Sequence, residues 1–191
     1  MHIGLLGASF DPPHLGHVTV AEETLKAGIF DQVRWVPTKQ HPLAKELTSV
    51  EHRLKMVELT LEDLDDARCI LENCELERPE ISYSFDTLEF LSRQEPEHTF
   101  SWIIGSDNLS SFHRWSRYQE ILANYRVYVY PRPDYPMVNL LEGMVPLAEV
   151  PEIAISSTQV RRATQQGASI DGLVVPAVAQ YITAHELYRS S

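Results

Sequence analysis

Short apolar runs alternate with amphipathic stretches along the chain, which is how strands interleaved with helices read in a sequence. Residues 2–7 form a first buried strand, and Gly16 to Ala27 a helix. A second strand is predicted from Gln32 to Val36, closed by Pro37, followed by a loop over residues 37–47. Thr48, with Glu51 three residues on, resembles a capping box and opens a helix carrying Val50, Leu54, Val57 and Leu61 on one face. Arg68 to Leu71 gives a weaker strand, Phe85 to Ser92 a helix, and Thr99 to Ile104 a strand ending at Gly105. Helical residues run from Arg117 to Ala123, and Arg126 to Tyr130 gives another strand, stopped by Pro131-Arg132-Pro133. The segment 131–151, with Pro131, Pro133, Pro136, Pro146 and Pro151, reads as an irregular excursion. Glu152 to Ile155 is a last short strand, leading into a helix with Gly167 as its C′ residue. Pro176 suits the first turn of a closing helix that runs to about Leu187.

This alternation predicts an α/β fold, a Rossmann-like doubly wound parallel sheet with helices on both faces. In such folds ligands gather at the carboxyl ends of the strands, where the strand order switches. The 191 residues suit a single domain spanning 1–191, with no internal repeat. Composition agrees, at 43% hydrophobic and 23% charged residues. No apolar run approaches the ~20 residues of a membrane span. The first residues lack a basic leader and a small-residue cleavage site, so they read as a strand rather than a signal peptide. Cys69 and Cys74 have neither zinc nor disulfide spacing and read as reduced structural thiols of a cytoplasmic protein.

A formal net charge of −11 opposes nonspecific binding to a nucleic-acid backbone. It also means that an anionic ligand must be held locally, where helix N-termini, backbone N–H groups and a few cations converge. Two segments have that character. The first is Gly7-Ala8-Ser9-Phe10-Asp11-Pro12-Pro13-His14-Leu15-Gly16-His17, at the turn from first strand to first helix. His14 and His17, three apart, share a face if the turn is helical. Gly16 removes a side chain where a phosphate could approach, and small Gly7, Ala8 and Ser9 leave N–H groups accessible. Two imidazoles beside a helix N-terminus can donate to oxygens on which charge develops. The same pair also suits a zinc site, for which no third ligand is obvious nearby, or simple surface caps.

The second segment, Ile155-Ser156-Ser157-Thr158-Gln159-Val160-Arg161-Arg162, sets hydroxyls and an arginine fork at a strand-to-helix junction. By itself it also reads as a plain N-cap with an exposed arginine. Between the two lies Ile104-Gly105-Ser106-Asp107-Asn108, beside the first motif if strands one and four are neighbours. Its Asp107 suits a ribose hydroxyl, a metal ion or a helix cap. Trp115, in the polar run from Phe112 to Tyr118, suits stacking on a flat heterocycle or packing in the core.

The first segment resembles the nucleotidyltransferase signature G-G-T-F-D-P-x-H-x-G-H, departing at Ala8 and Ser9, and the second resembles I-S-[SA]-T-x-[IV]-R. Gly105-Ser106-Asp107, the Phe112/Trp115 spacing, Arg132-Pro133-Asp134-Tyr135-Pro136, Ser82-Tyr83-Ser84 with Asp86-Thr87-Leu88, and the ending Tyr181-Ile182 to Leu187-Tyr188-Arg189 are similar to bacterial nicotinate-nucleotide adenylyltransferases. The resemblance implies adenylyl transfer from ATP, accompanied by Mg²⁺, to nicotinate mononucleotide, giving deamido-NAD and pyrophosphate. It implies catalytic roles for His14, His17 and Arg161. ATP contacts are implied for Gly7, Ala8, Ser9, Phe10, Gly16, Gly105, Asp107, Arg132, Ser156, Ser157 and Thr158, with Arg132 near the adenine and the part from about 156 to 191 completing the ATP site. Ser84, Trp115 and Ser116 are implied for the mononucleotide, and no side chain is assigned to metal. The family's basic Pro-Pro-His-Lys or Pro-Pro-His-Arg run is replaced here by Gln40-His41-Pro42-Leu43-Ala44-Lys45, leaving Lys39, His41 and Lys45 as candidates for that contact. Nicotinamide mononucleotide as the acceptor, and a nucleotide sensor without turnover, are the competing functions.

Overall fold

A computed structural model describes residues 1–39, 47–78 and 83–189. Its centre is a sheet of six parallel strands in the order β3-β2-β1-β4-β5-β6: β1 His2–Ala8, β2 Gln32–Pro37, β3 Cys69–Leu71, β4 Thr99–Gly105, β5 Arg126–Tyr130 and β6 Met144–Pro146. Neighbouring β1 and β4 mark the switch in strand order, where the Rossmann-type arrangement leaves a crevice. The helices are α1 Leu15–Lys26, α2 Val50–Leu64, the single turn α3 Cys74–Glu77, α4 Ser84–Gln94, α5 Tyr118–Asn124, α6 Ser157–Gln165 and α7 Pro176–Ala184, with a 3-10 segment at Ser106–Arg114.

Apolar side chains alternate between the two sheet faces, so each face has its own core. Ile3 and Leu5 of β1 with Phe100, Trp102 and Ile104 of β4 pack against Leu88 and Leu91 of α4 and Ile121 of α5. On the opposite face Leu6, Val33, Trp35 and Ile103 meet Val20, Ala21 and Leu25 of α1 and Val57 of α2. A third cluster joins Met56 of α2 to Val160 of α6 and to Val178 and Ile182 of α7. It fixes the carboxy-terminal helices against the body of the sheet.

Several sequence expectations are corrected. Glu152–Ile155 is not a strand, because its carbonyls at Ile153 and Ile155 accept from the Arg132 guanidinium instead of a ladder. The sixth strand lies instead at Met144–Pro146, inside the segment read as irregular. The cap of α2 is Ser49, whose hydroxyl accepts from the His52 N–H at 3.4 Å, rather than Thr48. Its buried side is Arg53, Met56, Val57 and Thr60, a stripe rotated from the predicted one. The 3-10 segment and α3 have no counterpart in the periodicity, and α7 stops at Ala184 rather than Leu187. Gly167, in left-handed conformation at φ 66°, does terminate α6.

Gly7 shows how tightly the crevice floor is packed. A Cβ there would overlap the indole of Trp102 on the neighbouring strand. Gly7→Ala should therefore lower stability by about 1–3 kcal/mol, read as a reduced urea midpoint at unchanged m.

Candidate active site

A cleft of about 470 Å³ opens at the carboxyl ends of β1, β4 and β5. Gly7, Ala8 and Ser9 line it where β1 ends, and His14 and His17 where α1 begins. Gly105 and Asp107 enter from the end of β4, Arg132 from the end of β5, and Ser156 and Ser157 from the head of α6. Ser84 at the start of α4, with Trp115 and Ser116 beyond the 3-10 segment, completes the expected set along the lining. Phe10, Gly16, Thr158 and Arg161 are not among the lining residues: Phe10 and Gly16 are buried, and Thr158 is exposed at the head of α6.

Phe10 has a left-handed backbone (φ 47°), rare for a bulky residue. Its ring is driven into the core, stacked 5.1 Å from Trp35 and edge-on to His17 at 4.9 Å. Gly16 is buried beneath His14, and the volume of a side chain there is already taken by the His14 ring and Ile153. Gly105 is bare for a similar reason, since the Asp107 carboxylate and Arg132 stem lie over it.

His14 caps α1, and the two imidazoles stack with centroids 3.7 Å apart. The backbone N–H of His14 donates to His17 Nδ1 at 3.1 Å, which assigns the proton of a neutral His17 to Nε2. Burial, with Arg132 nearby, lowers the pKa of His14 from 6.5 to about 3. Burial, then His14 and Arg132, also hold His17 well below its ordinary range. The pair is therefore neutral and offers N–H donors rather than positive charge. His14 Nδ1 is buried without a hydrogen-bond partner among the described residues.

The head of α6 is bolted to the loop after β1. Arg161 Nη1 donates to the Asp11 carbonyl at 2.6 Å and Nη2 to Thr158 Oγ1 at 3.1 Å, while Ser157 Oγ donates to the Pro12 carbonyl at 2.8 Å. Ser156 caps the helix by accepting from the Gln159 N–H. Two helix N-termini thus border one cleft, the arrangement in which unpaired N–H groups favour an anion. Arg132 braces the approach to α6 through the Ile153 and Ile155 carbonyls at 2.6 and 2.7 Å, and lies 3.9 Å from Asp107.

At the Trp115 end, Arg117 lies 3.6 Å over the Phe85 ring and 3.8 Å from Asp86. This cation–π contact clips the segment carrying Ser116 to the one carrying Ser84. Trp115 is half-buried and packs 5.0 Å from Phe112, so it serves both core and cleft. Of the three basic residues considered for the missing Pro-Pro-His-Lys contact, Lys39 donates from Nζ to the Arg78 carbonyl at 2.8 Å. His41 and Lys45 lie outside the described residues, as does Ser82. No group of three or more His, Cys, Asp or Glu among the described residues is arranged to hold a metal.

Sequence reasoning missed Arg53. Its fully buried guanidinium donates to four carbonyls, of Ser9, Thr38, Lys39 and Thr48, at 2.7–3.2 Å. The signal was available, since Arg53 lies on the inward side of α2, three residues after Val50 and four before Val57. Glu75, Asn108, Ser111 and Arg114 also line the cleft without having been singled out.

The cytidylyltransferase-like family model matches residues 5–163. A relative from Salinibacter ruber, described as a probable nicotinate-nucleotide adenylyltransferase, is 40% identical over 198 residues, covering 99% of this chain and 98% of its own length. A relative of the same description from Oceanobacillus iheyensis is 35% identical over 187 residues, covering 97% and 96%. The nicotinic acid mononucleotide adenylyltransferase of Plasmodium falciparum, complexed with NaAD, superposes with a TM-score of 0.81 at 20% identity, covering 98% of this chain and 97% of that one. At that identity the superposition speaks for the fold.

The neutral histidines make stability depend on pH. An unfolded chain protonates His14 below about 6.5, whereas the folded chain resists until about 3. The stabilisation is complete above the unfolded value and is lost as pH falls through the interval. Between about pH 7 and about pH 5 the wild type should lose about 2 kcal/mol more than His14→Gln in urea titrations. Equal losses would show that His14 is not buried in the neutral form.

Proposed function

The chain belongs to the cytidylyltransferase-like family and, within it, to the nicotinate-nucleotide adenylyltransferases, and on that footing we propose that its cleft transfers the adenylyl group of ATP to nicotinate mononucleotide. One observation carries this reading: the heads of α1 and α6 border the same crevice, fastened to each other through the Asp11 and Pro12 carbonyls. An acidic protein gains a triphosphate site in this way without a basic surface.

A mononucleotide phosphate oxygen attacks the α-phosphorus of ATP in line. The bond from that phosphorus to the oxygen bridging toward the β-phosphorus breaks, and pyrophosphate leaves. The acceptor already carries its nucleophile, so no covalent enzyme intermediate is required, and catalysis is positioning with charge stabilisation. His17, through Nε2–H, and His14 donate to the phosphate oxygens as negative charge moves onto the leaving group. Neutral imidazoles do this without placing two cations in stacking contact. Arg161, Ser156, Ser157 and Thr158 gather the phosphates at the head of α6, with Gly7, Ala8 and Ser9 opposite. Gly105, Asp107 and Arg132 border the adenosine, and Trp115 stacks on the pyridine ring between Ser84 and Ser116. Mg²⁺ enters on the triphosphate as part of that substrate. The free, buried Cys69 and Cys74 suit a reducing compartment, the cytoplasm.

Pyrophosphate release should require ATP and mononucleotide together, and release from neither nicotinate nor nicotinamide mononucleotide would overturn the proposal. Comparing the two acceptors reads the preference for acid over amide. His17→Ala should lower kcat by roughly 10²–10³ with little change in the acceptor KM. An unchanged kcat would remove His17 from the chemistry. Trp115→Ala should raise the acceptor KM several-fold, on the order of one lost stacking contact, and an unchanged KM would assign the indole to the core alone.

A further inference from the structure

Asp11 is only 3% exposed, and a carboxylate so deeply buried persists where hydrogen bonds meet its oxygens. Its Oδ2 accepts from the Thr48 N–H at 3.3 Å, and its Oδ1 from the phenol of Tyr188 at 2.7 Å. The shorter, charge-assisted bond is the stronger of the two, and it comes from 177 residues further along the chain.

Tyr188 reaches Asp11 because the chain doubles back after α7. The Leu187 N–H donates to the Ile182 carbonyl at 3.0 Å, and Glu186 and Tyr188 both adopt left-handed backbone, at φ 51° and 62°. Side chains with a Cβ resist that conformation, so it persists where the surroundings impose it. The Tyr188 ring packs against the cluster of Met56, Val160 and Val178, leaving the hydroxyl aimed at Asp11. Burial, and then the neighbouring carboxylate, push its ionisation upward, so the phenol remains the donor.

The main chain of Asp11 is also the acceptor for Arg161, and the next carbonyl, of Pro12, is the acceptor for Ser157. A shift of the Asp11 side chain therefore moves the two carbonyls that register α6 against the cleft, three and two residues before His14. We propose that Tyr188 is a positioning residue for the triphosphate, acting through Asp11 to hold the head of α6 and the His14 turn in register. The inference rests on reading the cleft as an ATP site.

The test uses Tyr188→Phe in the full chain, which removes one hydroxyl and keeps the ring in its apolar pocket. Steady-state kinetics with both substrates varied are paired with calorimetric binding of a non-hydrolysable ATP analogue and with thermal unfolding. KM for ATP and Kd for the analogue should each rise about tenfold, the scale of one charge-assisted hydrogen bond. KM for the mononucleotide should stay within about twofold and Tm should fall by only about 2–4 °C. In an Asp11→Asn background the penalty from Tyr188→Phe should shrink, since the partner charge is already gone. Unaltered analogue binding by Tyr188→Phe would overturn the proposal, as would equal losses for both substrates. A wild type that binds the analogue but releases no pyrophosphate with either mononucleotide sinks the functional reading, while the analogue comparison still decides the role of Tyr188. A wild type that fails to bind the analogue overturns both.

Discussion

Everything in the cleft depends on a joint between a loop and a helix far apart in sequence. Arg161 and Ser157 reach across 150 and 145 residues to the carbonyls of Asp11 and Pro12. Both bonds run from side chain to backbone, so they constrain the path of the loop more than its side chains. That path is set from below by Arg53, which gathers the carbonyl of Ser9 with those of Thr38, Lys39 and Thr48, and by the Phe10 ring anchored on Trp35. Without the joint, the heads of α1 and α6 would be two ordinary helix ends, each half-screened by water. Together they bring two helix dipoles to bear on a single cleft.

The same geometry resolves the difficulty posed by a net charge of −11. Much of the cationic character around the cleft is committed to the protein itself. Arg53 and Arg132 hold carbonyls, Lys39 donates to Arg78, and Arg161 spends one nitrogen on Asp11. What faces the cleft from α1 is a neutral, stacked histidine pair whose donors are oriented by backbone rather than by charge. Oriented dipoles suit a reaction in which charge moves along a phosphate chain, because they need not reorganise as it moves.

Most of this site was legible in the sequence because its chemistry is local. The strand-turn-helix from Gly7 to His17 and the helix head from Ser156 to Arg161 are continuous segments, and each carries its own turn and capping signals. What escaped depends on distant partners. Met144–Pro146 becomes a strand because β5 offers it an edge, which three residues near a proline do not announce. Glu152–Ile155 has a strand's composition but surrenders its carbonyls to Arg132. Arg53 has the helical spacing of a buried position, but the four carbonyls that converge on it come from three separate parts of the chain, which that spacing does not show. Asp11 looks like a turn residue, and nothing nearby in sequence shows that a tyrosine close to the other end of the chain satisfies it.

Gly16 illustrates how the two signatures came to depend on each other. Considered locally, a glycine between two histidines leaves room for a phosphate. In the fold, that room is filled by the His14 ring and by Ile153, a buried side chain from the stretch leading into α6. Ile153 is held there by its carbonyl on Arg132 and its N–H on the Pro131 carbonyl, both at the end of β5. The chain after β5 adds one edge strand, returns across the carboxyl ends of the sheet, and seats an isoleucine over the first turn of α1. A side chain at position 16 would displace His14, Ile153 or both, shifting the histidine donors and the route to α6 in one step. The glycine is thus a packing requirement shared by both halves of the site, and the gap it leaves is where the first and last parts of the chain fit together.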